Sequence, residues 1–326
     1  NSFRGDWQVY PAAGYVVANA SKGIFAQAGN IGTLIIGEDL IGIGNCAFYE
    51  CTGLDSISFG NGIKVIGNYA FAGCGSLRDV AIPDLCSLGQ IGDHAFYSCT
   101  NLTKFTLPIN VSYVGDYAFA ECRFLSDFVM CNYGDANDRS NLTELGWNVF
   151  ENCETLSSLT FPANYNEAVD ISLVKGCKNL RYITARSKKM TFTEKEDGDV
   201  YCFDCFKEML SGDPVNGTFY FEGRDDSTIH SFTRENCFAF SYIDYNSETT
   251  QYEKLDKYEL TVQDPNVTGK TGRSTYVVNS NNELISSTVG ENVSTLEIPD
   301  PIGPYHIYNI GANIFANNCN LTMVSL

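Results

Sequence analysis

Apolar residues along this chain recur with a long period, neither the two-residue beat of a lone strand nor the 3.6-residue beat of a helix. Residues 91–108, IGDHAFYSCTNLTKFTLP, are the cleanest unit. Laid under its neighbours it defines a frame, I-G-x-x-A-F-x-x-C-x-x-L-x-x-V-x-I-P. Successive copies carry Ile43, Phe48, Cys51 and Leu54; Ile66, Phe71, Cys74 and Leu77; Ile91, Phe96, Cys99 and Leu102; Val114, Phe119, Cys122 and Leu125; Leu145, Phe150, Cys153 and Leu156. A sixth copy keeps Cys177, Leu180 and Ile183 without the aromatic. The aligned cysteines are 23, 25, 23, 31 and 24 residues apart. The long step holds CNYGDANDRSN, residues 131–141, which reads as a polar loop insertion.

Each unit predicts its own local structure. Phe105-Thr106-Leu107 alternates apolar and polar and predicts a short strand. Pro108 has no N–H to donate and suits the strand's exit. Ala-Phe-x-x-Cys is too short for a full helix and predicts one tight turn that buries Phe, with the preceding Gly as a sharp backbone corner. One unit cannot close a core, so stacked units must bury each other's Leu, Phe and Cys.

A period of 20–29 residues with Leu at fixed places is the signature of leucine-rich repeats. The frame closely resembles the BspA-like leucine-rich repeats of bacterial and some protist surface proteins. The resemblance is strong over residues 43–183 and weaker over 24–36 and 293–326. It implies an α/β repeat solenoid: a leucine-rich-repeat horseshoe, with short parallel strands on the concave face and tight turns or short helices on the convex face. It also implies an exported or cell-surface protein of a host-associated microbe, some relatives being adhesins. Residues 1–42 are expected to be an N-terminal cap and degenerate first repeat, and 43–185 the regular repeats. Residues 186–274 are expected to be degenerate repeats with insertions, and 275–326 further repeats ending at a strand. Within the last segment, residues 275–286, TYVVNSNNELIS, predict two strands around an Asn-rich turn.

The totals narrow the function classes. With 326 residues and 44% hydrophobic content there is ample core, and 18% charged residues argue against disorder. The net charge of −18 disfavours nucleic acid and anionic membrane as partners. No apolar run approaches a membrane span of roughly 18 residues. The chain opens at Asn1 with neither an initiator Met nor a signal peptide. That reads as a processed or shortened form whose export signal lies outside it.

Motifs that suggest chemistry mostly dissolve into the frame. Gly42-Ile-Gly44-Asn-Cys-Ala47 matches the G-x-G-x-x-A dinucleotide fingerprint, yet Gly44 and Ala47 are repeat residues and no crossover helix follows. Six of the thirteen cysteines sit at one frame position, and stacked coils would bring them within disulfide reach. They are read as free buried thiols, since Cys packs well as a small hydrophobe. Cys202-Phe-Asp-Cys205 lies outside the frame. It could be a redox pair, half a zinc site with His230 and Cys237, a local disulfide or two free thiols. Glu194, Glu196, Asp197 and Asp199 lack the spacing of a calcium loop. His94 reads as a surface filler beside Ala95-Phe96. Eight N-x-S/T sequons, Asn101 and Asn110 among them, are read as ordinary repeat residues. No nucleophile–base–orienter set assembles, so no catalytic residue, metal or cofactor is expected.

Alternation along the strands leaves one outward strip on the concave side. Its members are Ser56, Asp79, Lys104, Thr106, Asp127, Ser158 and Tyr182, with Thr160 and Thr184 in the second outward row. The expected function is non-catalytic recognition of a host or neighbouring-cell protein, or of a glycan, by a chain that is monomeric. The alternatives are a structural spacer without a ligand, and a glycan hydrolase built on a carboxylate pair.

Overall fold

The computed structural model describes residues 8–10, 15–17, 25–130, 140–193, 219–236, 238–246, 251–263, 272–291, 293–299, 302, 305–312, 314–315 and 321–325. The chain divides into two compact units, one of Asn1–Leu180 with Phe192–Met209, the other of Arg181–Thr191 with Leu210–Leu326.

The first unit is a parallel-strand β-solenoid. Each turn of the chain contributes two short strands and one corner. The expected strands appear at Thr33–Ile35, Ser56–Ser58 and Asp79–Ala81, parallel and in register, and at Lys104–Thr106 beside Asp127–Val129. Ile57, Phe105 and Phe128 point inward and are buried, while their neighbours on either side are not. A second ladder was not anticipated. It joins Gly42–Ile43, Val65–Ile66, Gln90–Ile91, Tyr113–Val114 and Glu144–Leu145 in parallel. These strands are two residues long, too short to show alternation. At its start, Tyr15–Val17 adds a parallel strand and Gln8–Tyr10 an antiparallel one.

The α/β reading is corrected here. Where the frame allowed short helices, Ala-Phe-x-x-Cys forms turns, and the helical content of the described residues is small. These turns are stitched coil to coil by backbone bonds: Phe48, Phe71 and Phe96 N–H donate to the carbonyls of Ala70, Ala95 and Ala118, each at 2.8 Å. A helix would have turned those donors inward along its own axis. Stacking replaces helix because each coil can satisfy its neighbour's backbone on all three sides.

The role of the frame glycine also differs from the expectation of a sharp corner. A Cβ on Gly92 would lie 2.7 Å from the Asn68 amide nitrogen and 2.8 Å from the Gly67 carbonyl carbon. Glycine is required because the coils approach closely there. The left-handed corner residue comes two positions later, at Tyr69, His94 and Tyr117, with φ near +55°.

Behind the corner lies the core. Phe25, Phe48, Phe71, Phe96, Phe119 and Phe150 form one stacked column with ring centroids 5.1–6.1 Å apart. Phe105 and Phe128 meet this column edge-on. Offset stacks and edge-to-face contacts are the favoured aromatic geometries.

The second unit is built around a mixed sheet. Tyr182–Ala185, Tyr220–Gly223 and Ala239–Asn246 run parallel. Gln251–Gln263, Arg273–Val278 and Glu283–Thr288 continue antiparallel, and Asn309–Ile310 returns parallel. The pair at 273–288 is the hairpin expected around the Asn-rich turn. The helix Thr228–Asn236 connects two of the parallel strands and buries Ile229, Phe232 and His230 against Phe221 and Phe240. On the other side, Tyr258, Tyr276, Val278, Leu284, Leu296 and Ile302 form a separate core.

Candidate functional site

The outward strand face of the first unit is assembled from Ser56, Asp79, Lys104, Thr106, Asp127 and Ser158. Cα pairing places Thr33, Ser56 and Asp79 in one row, and Lys104 beside Asp127. The Ser56 hydroxyl donates to the Thr33 hydroxyl at 3.1 Å. Lys104 Nζ lies 3.3 Å from Asp127 Oδ2, with side chains 63% and 53% exposed. So open a pair contributes little to stability, about 0–1 kcal/mol. Thr106 and Ser158 are half-buried, and Thr160 is buried rather than outward.

Tyr182 belongs to the second unit, on a strand beside Tyr220–Gly223. Its ring stacks on Tyr220 at 5.4 Å, and the Lys254 ammonium lies 5.0 Å from its centroid. Thr184, expected outward, is buried, donating to the buried carboxylate of Glu222 at 2.6 Å. Lys254 pairs with the same carboxylate.

The cysteines of the frame are explained by a bond that spacing alone did not disclose. Each thiol reaches the carbonyl of the Phe one coil earlier: Cys74 to Phe48 at 3.1 Å, Cys99 to Phe71 at 3.2 Å, Cys122 to Phe96 at 3.1 Å, Cys153 to Phe119 at 3.2 Å and Cys177 to Phe150 at 3.0 Å. The same carbonyls also accept an N–H from the Cys of their own coil, so both lone pairs are used. All six frame cysteines are buried and free. Burial pushes the thiols of Cys99, Cys153 and Cys177 well up, and that of Cys122 to about 12. These four are poor nucleophiles.

A second ladder runs along the corner through a position the frame left blank. The side-chain oxygens of Asn45, Asn68, Asp93 and Asp116 accept the backbone N–H of Asn68, Asp93, Asp116 and Trp147 at 2.8–3.0 Å. Beside it, His94 is no filler. Its ring is stacked between Tyr69 at 4.5 Å and Tyr117 at 4.9 Å. Burial lowers its pKa, opposed by Asp93 and Asp116. Tyr113 donates to Asp93 at 3.3 Å, and burial followed by the two carboxylates pushes its phenol to about 12.

In the second unit a polar cluster around the buried Glu259 gathers residues far apart in sequence. Glu259 accepts from Arg234 Nη2 at 2.8 Å and Tyr242 Oη at 2.5 Å, and its Oε1 lies 3.2 Å from His230 Nε2. His230 Nδ1 faces Asp225 at 3.3 Å. Burial alone would raise the Glu259 carboxyl; bonds from Arg234, His230 and Tyr242 instead hold it at about 2. His230 therefore has structural partners. Cys202, Cys205 and Cys237, the other members of the imagined zinc set, lie outside the described residues, as do Glu194, Glu196, Asp197, Asp199 and residues 131–139 of the insertion. Among the described residues no group of three or more His, Cys, Asp or Glu is placed to hold a metal ion. None of their helices is long and apolar enough to cross a membrane.

Two motifs resolve structurally. Gly42–Ile43 of the dinucleotide-like run is a rung of the second ladder and leads into a corner. The amide nitrogens of Asn101 and Asn110 each donate at 2.7 Å to a carbonyl one coil back, of Gly75 and Cys86, and are engaged in the stack.

The geometry agrees with the sequence comparisons. The family described as BspA type leucine-rich repeat region matches residues 19–136 and 128–205 in six copies, together more than half of the chain. No curated protein matches. Among solved structures, a leucine-rich repeat protein of T. pallidum is 23% identical, with 58% of this chain and 83% of that chain covered at a TM-score of 0.45. One from Bacteroides ovatus is 16% identical, covering 98% and 79% at 0.40. The pneumococcal vaccine antigen PcpA is 15% identical, covering 98% and 67% at 0.39.

Proposed function

Because the chain belongs to the BspA type leucine-rich repeat family, we propose that it is a non-catalytic recognition protein of the cell surface or extracellular space. Its binding strip is the outward strand face of Ser56, Asp79, Lys104, Thr106, Asp127 and Ser158. The partner is a protein or glycan of a host or neighbouring cell, met in an adhesin-like manner. The observation that carries this reading is the exposed Lys104–Asp127 pair, which extends a row of small hydroxyl and carboxylate side chains. The fold does not need those side chains, because the buried Phe, Leu and Cys hold the coils. A smooth polar strip of that kind suits an extended partner surface better than a small molecule in a deep pocket.

A structural spacer is the second reading, favoured by the fact that Lys104 and Asp127 neutralise each other within the strip. The two separate in a binding screen against immobilised extracellular-matrix proteins and glycans, run with the native chain and with the Asp79→Ala/Lys104→Ala/Asp127→Ala variant. Recognition predicts a ligand whose binding weakens at least tenfold, about 1.4 kcal/mol, in a variant that still unfolds cooperatively. Ligand-free behaviour of both proteins sinks it in favour of the spacer.

A further inference from the structure

Aromatic side chains crowd the corner of the solenoid at positions whose backbone disfavours them. Tyr69, His94 and Tyr117 occupy one left-handed position in three consecutive coils, with φ of 56°, 55° and 55°. Bulky residues are disfavoured there, and Asn is among the tolerated ones. Asn148 holds the equivalent position in the next coil with φ 54°. The Phe column already fills the core behind them. Tyr97 tilts against His94 at 5.5 Å, Tyr113 bonds Asp93, and Trp147, 47% exposed, stands one coil on. Asp93 and Asp116 supply negative charge along the same line. None of the four corner positions in these three coils, occupied by Asn68, Tyr69, Ala72 and Gly73, by Asp93, His94, Tyr97 and Ser98, and by Asp116, Tyr117, Ala120 and Glu121, carries a Lys or Arg.

We propose that this corner stripe is a docking surface for a protein partner that presents arginine side chains. Tyrosine hydroxyls and aspartate carboxylates form an array of acceptors, and the planar guanidinium with five donors is the group that reads such an array. The net charge of −18 draws a basic partner in and repels an acidic one. Tyr and Trp are enriched among the residues that dominate protein interfaces. A glycan fits less well: both faces of His94 are covered by Tyr69 and Tyr117, so the middle of the stripe offers ring edges where a sugar ring would need an open face. The stripe is separate from the strand face, and either can fail alone.

The test uses the Tyr69→Asn/His94→Asn/Tyr117→Asn variant, which suits the left-handed backbone. Calorimetric titration with hexa-arginine, hexa-lysine and cellohexaose separates the possibilities. The expected result is binding of hexa-arginine about tenfold or more tighter than hexa-lysine, falling to the hexa-lysine level in the variant, while its Tm stays equal or rises. The Asp79→Ala/Lys104→Ala/Asp127→Ala variant keeps the arginine preference. Equal affinity for the two peptides, unchanged binding by the Asn variant, preferential binding of cellohexaose, or loss of cooperative unfolding in the Asn variant would each overturn the proposal.

Discussion

The sulfur of Cys99 lies 3.2 Å from the carbonyl oxygen of Phe71, one coil earlier, and the same bond recurs at every frame cysteine described. The thiol is a weak donor that adds a second bond to a carbonyl already accepting the Cys74 N–H. It fills a small apolar volume and completes the second lone pair of a buried carbonyl.

Cys99→Ala should therefore destabilise the first unit by about 1–3 kcal/mol, the loss of a bond to a buried acceptor plus a small cavity. Urea denaturation monitored by circular dichroism measures it. An unchanged midpoint would show that the thiol only fills space.

The same burial makes alkali destabilising. The Cys122 thiol is raised from 9 to about 12 and the Tyr113 phenol from 10 to about 12. Both groups stay protonated in the folded chain after their unfolded counterparts have ionised. Stability from these groups is full below pH 9 and is lost as pH rises towards 12. Thermal melts from pH 8 to pH 11 should show Tm falling steadily above pH 9; a flat profile speaks against it.

Gly92→Ala should be tolerated poorly. Its Cβ would press against the backbone of Asn68 and Gly67, atoms that no rotamer change can move. A loss of about 1–3 kcal/mol is the ordinary scale for overpacking. A denaturation midpoint equal to that of the native chain would mean the coils can separate locally at little cost.

Acid acts on the second unit. The Glu259 carboxyl is held at about 2 against an ordinary 4.5, so its contribution is present above pH 4.5 and lost as pH falls towards 2. Glu259→Gln leaves the buried His230 and the half-exposed Arg234 without their carboxylate and should cost about 1–3 kcal/mol at neutral pH. Tyrosine fluorescence during unfolding at pH 7 and pH 3 tests both statements; identical stability of the variant and native chain at pH 7 would refute the second.

The legible part of this fold was the part that repeats. Phe96, Cys99 and Leu102 reveal their burial because Phe71, Cys74 and Leu77 stand at the same offsets. The Asn45–Asn68–Asp93–Asp116 ladder stayed hidden because its position carries three residue types, Trp147 included, and only stacking shows that all five sit in one line. The second ladder of strands is two residues wide, below the length at which alternation can be seen. The cluster of His230, Arg234, Tyr242 and Glu259 could not be foreseen, since it joins a helix to two strands across 29 residues with no repeated spacing. Of the strand strip, Lys104 and Asp127 emerged as neighbours, as alternation and period together require. Thr184 turned out to be covered because Glu222 lies beside it.

The most direct measurement compares binding of the native chain and the Asp79→Ala/Lys104→Ala/Asp127→Ala variant to the ligand identified by the surface screen. A binding strip on the strand face predicts at least a tenfold loss of affinity, about 1.4 kcal/mol, with stability changed by less than about 1 kcal/mol. Equal affinity in the two proteins would contradict it and remove the strand face from the function.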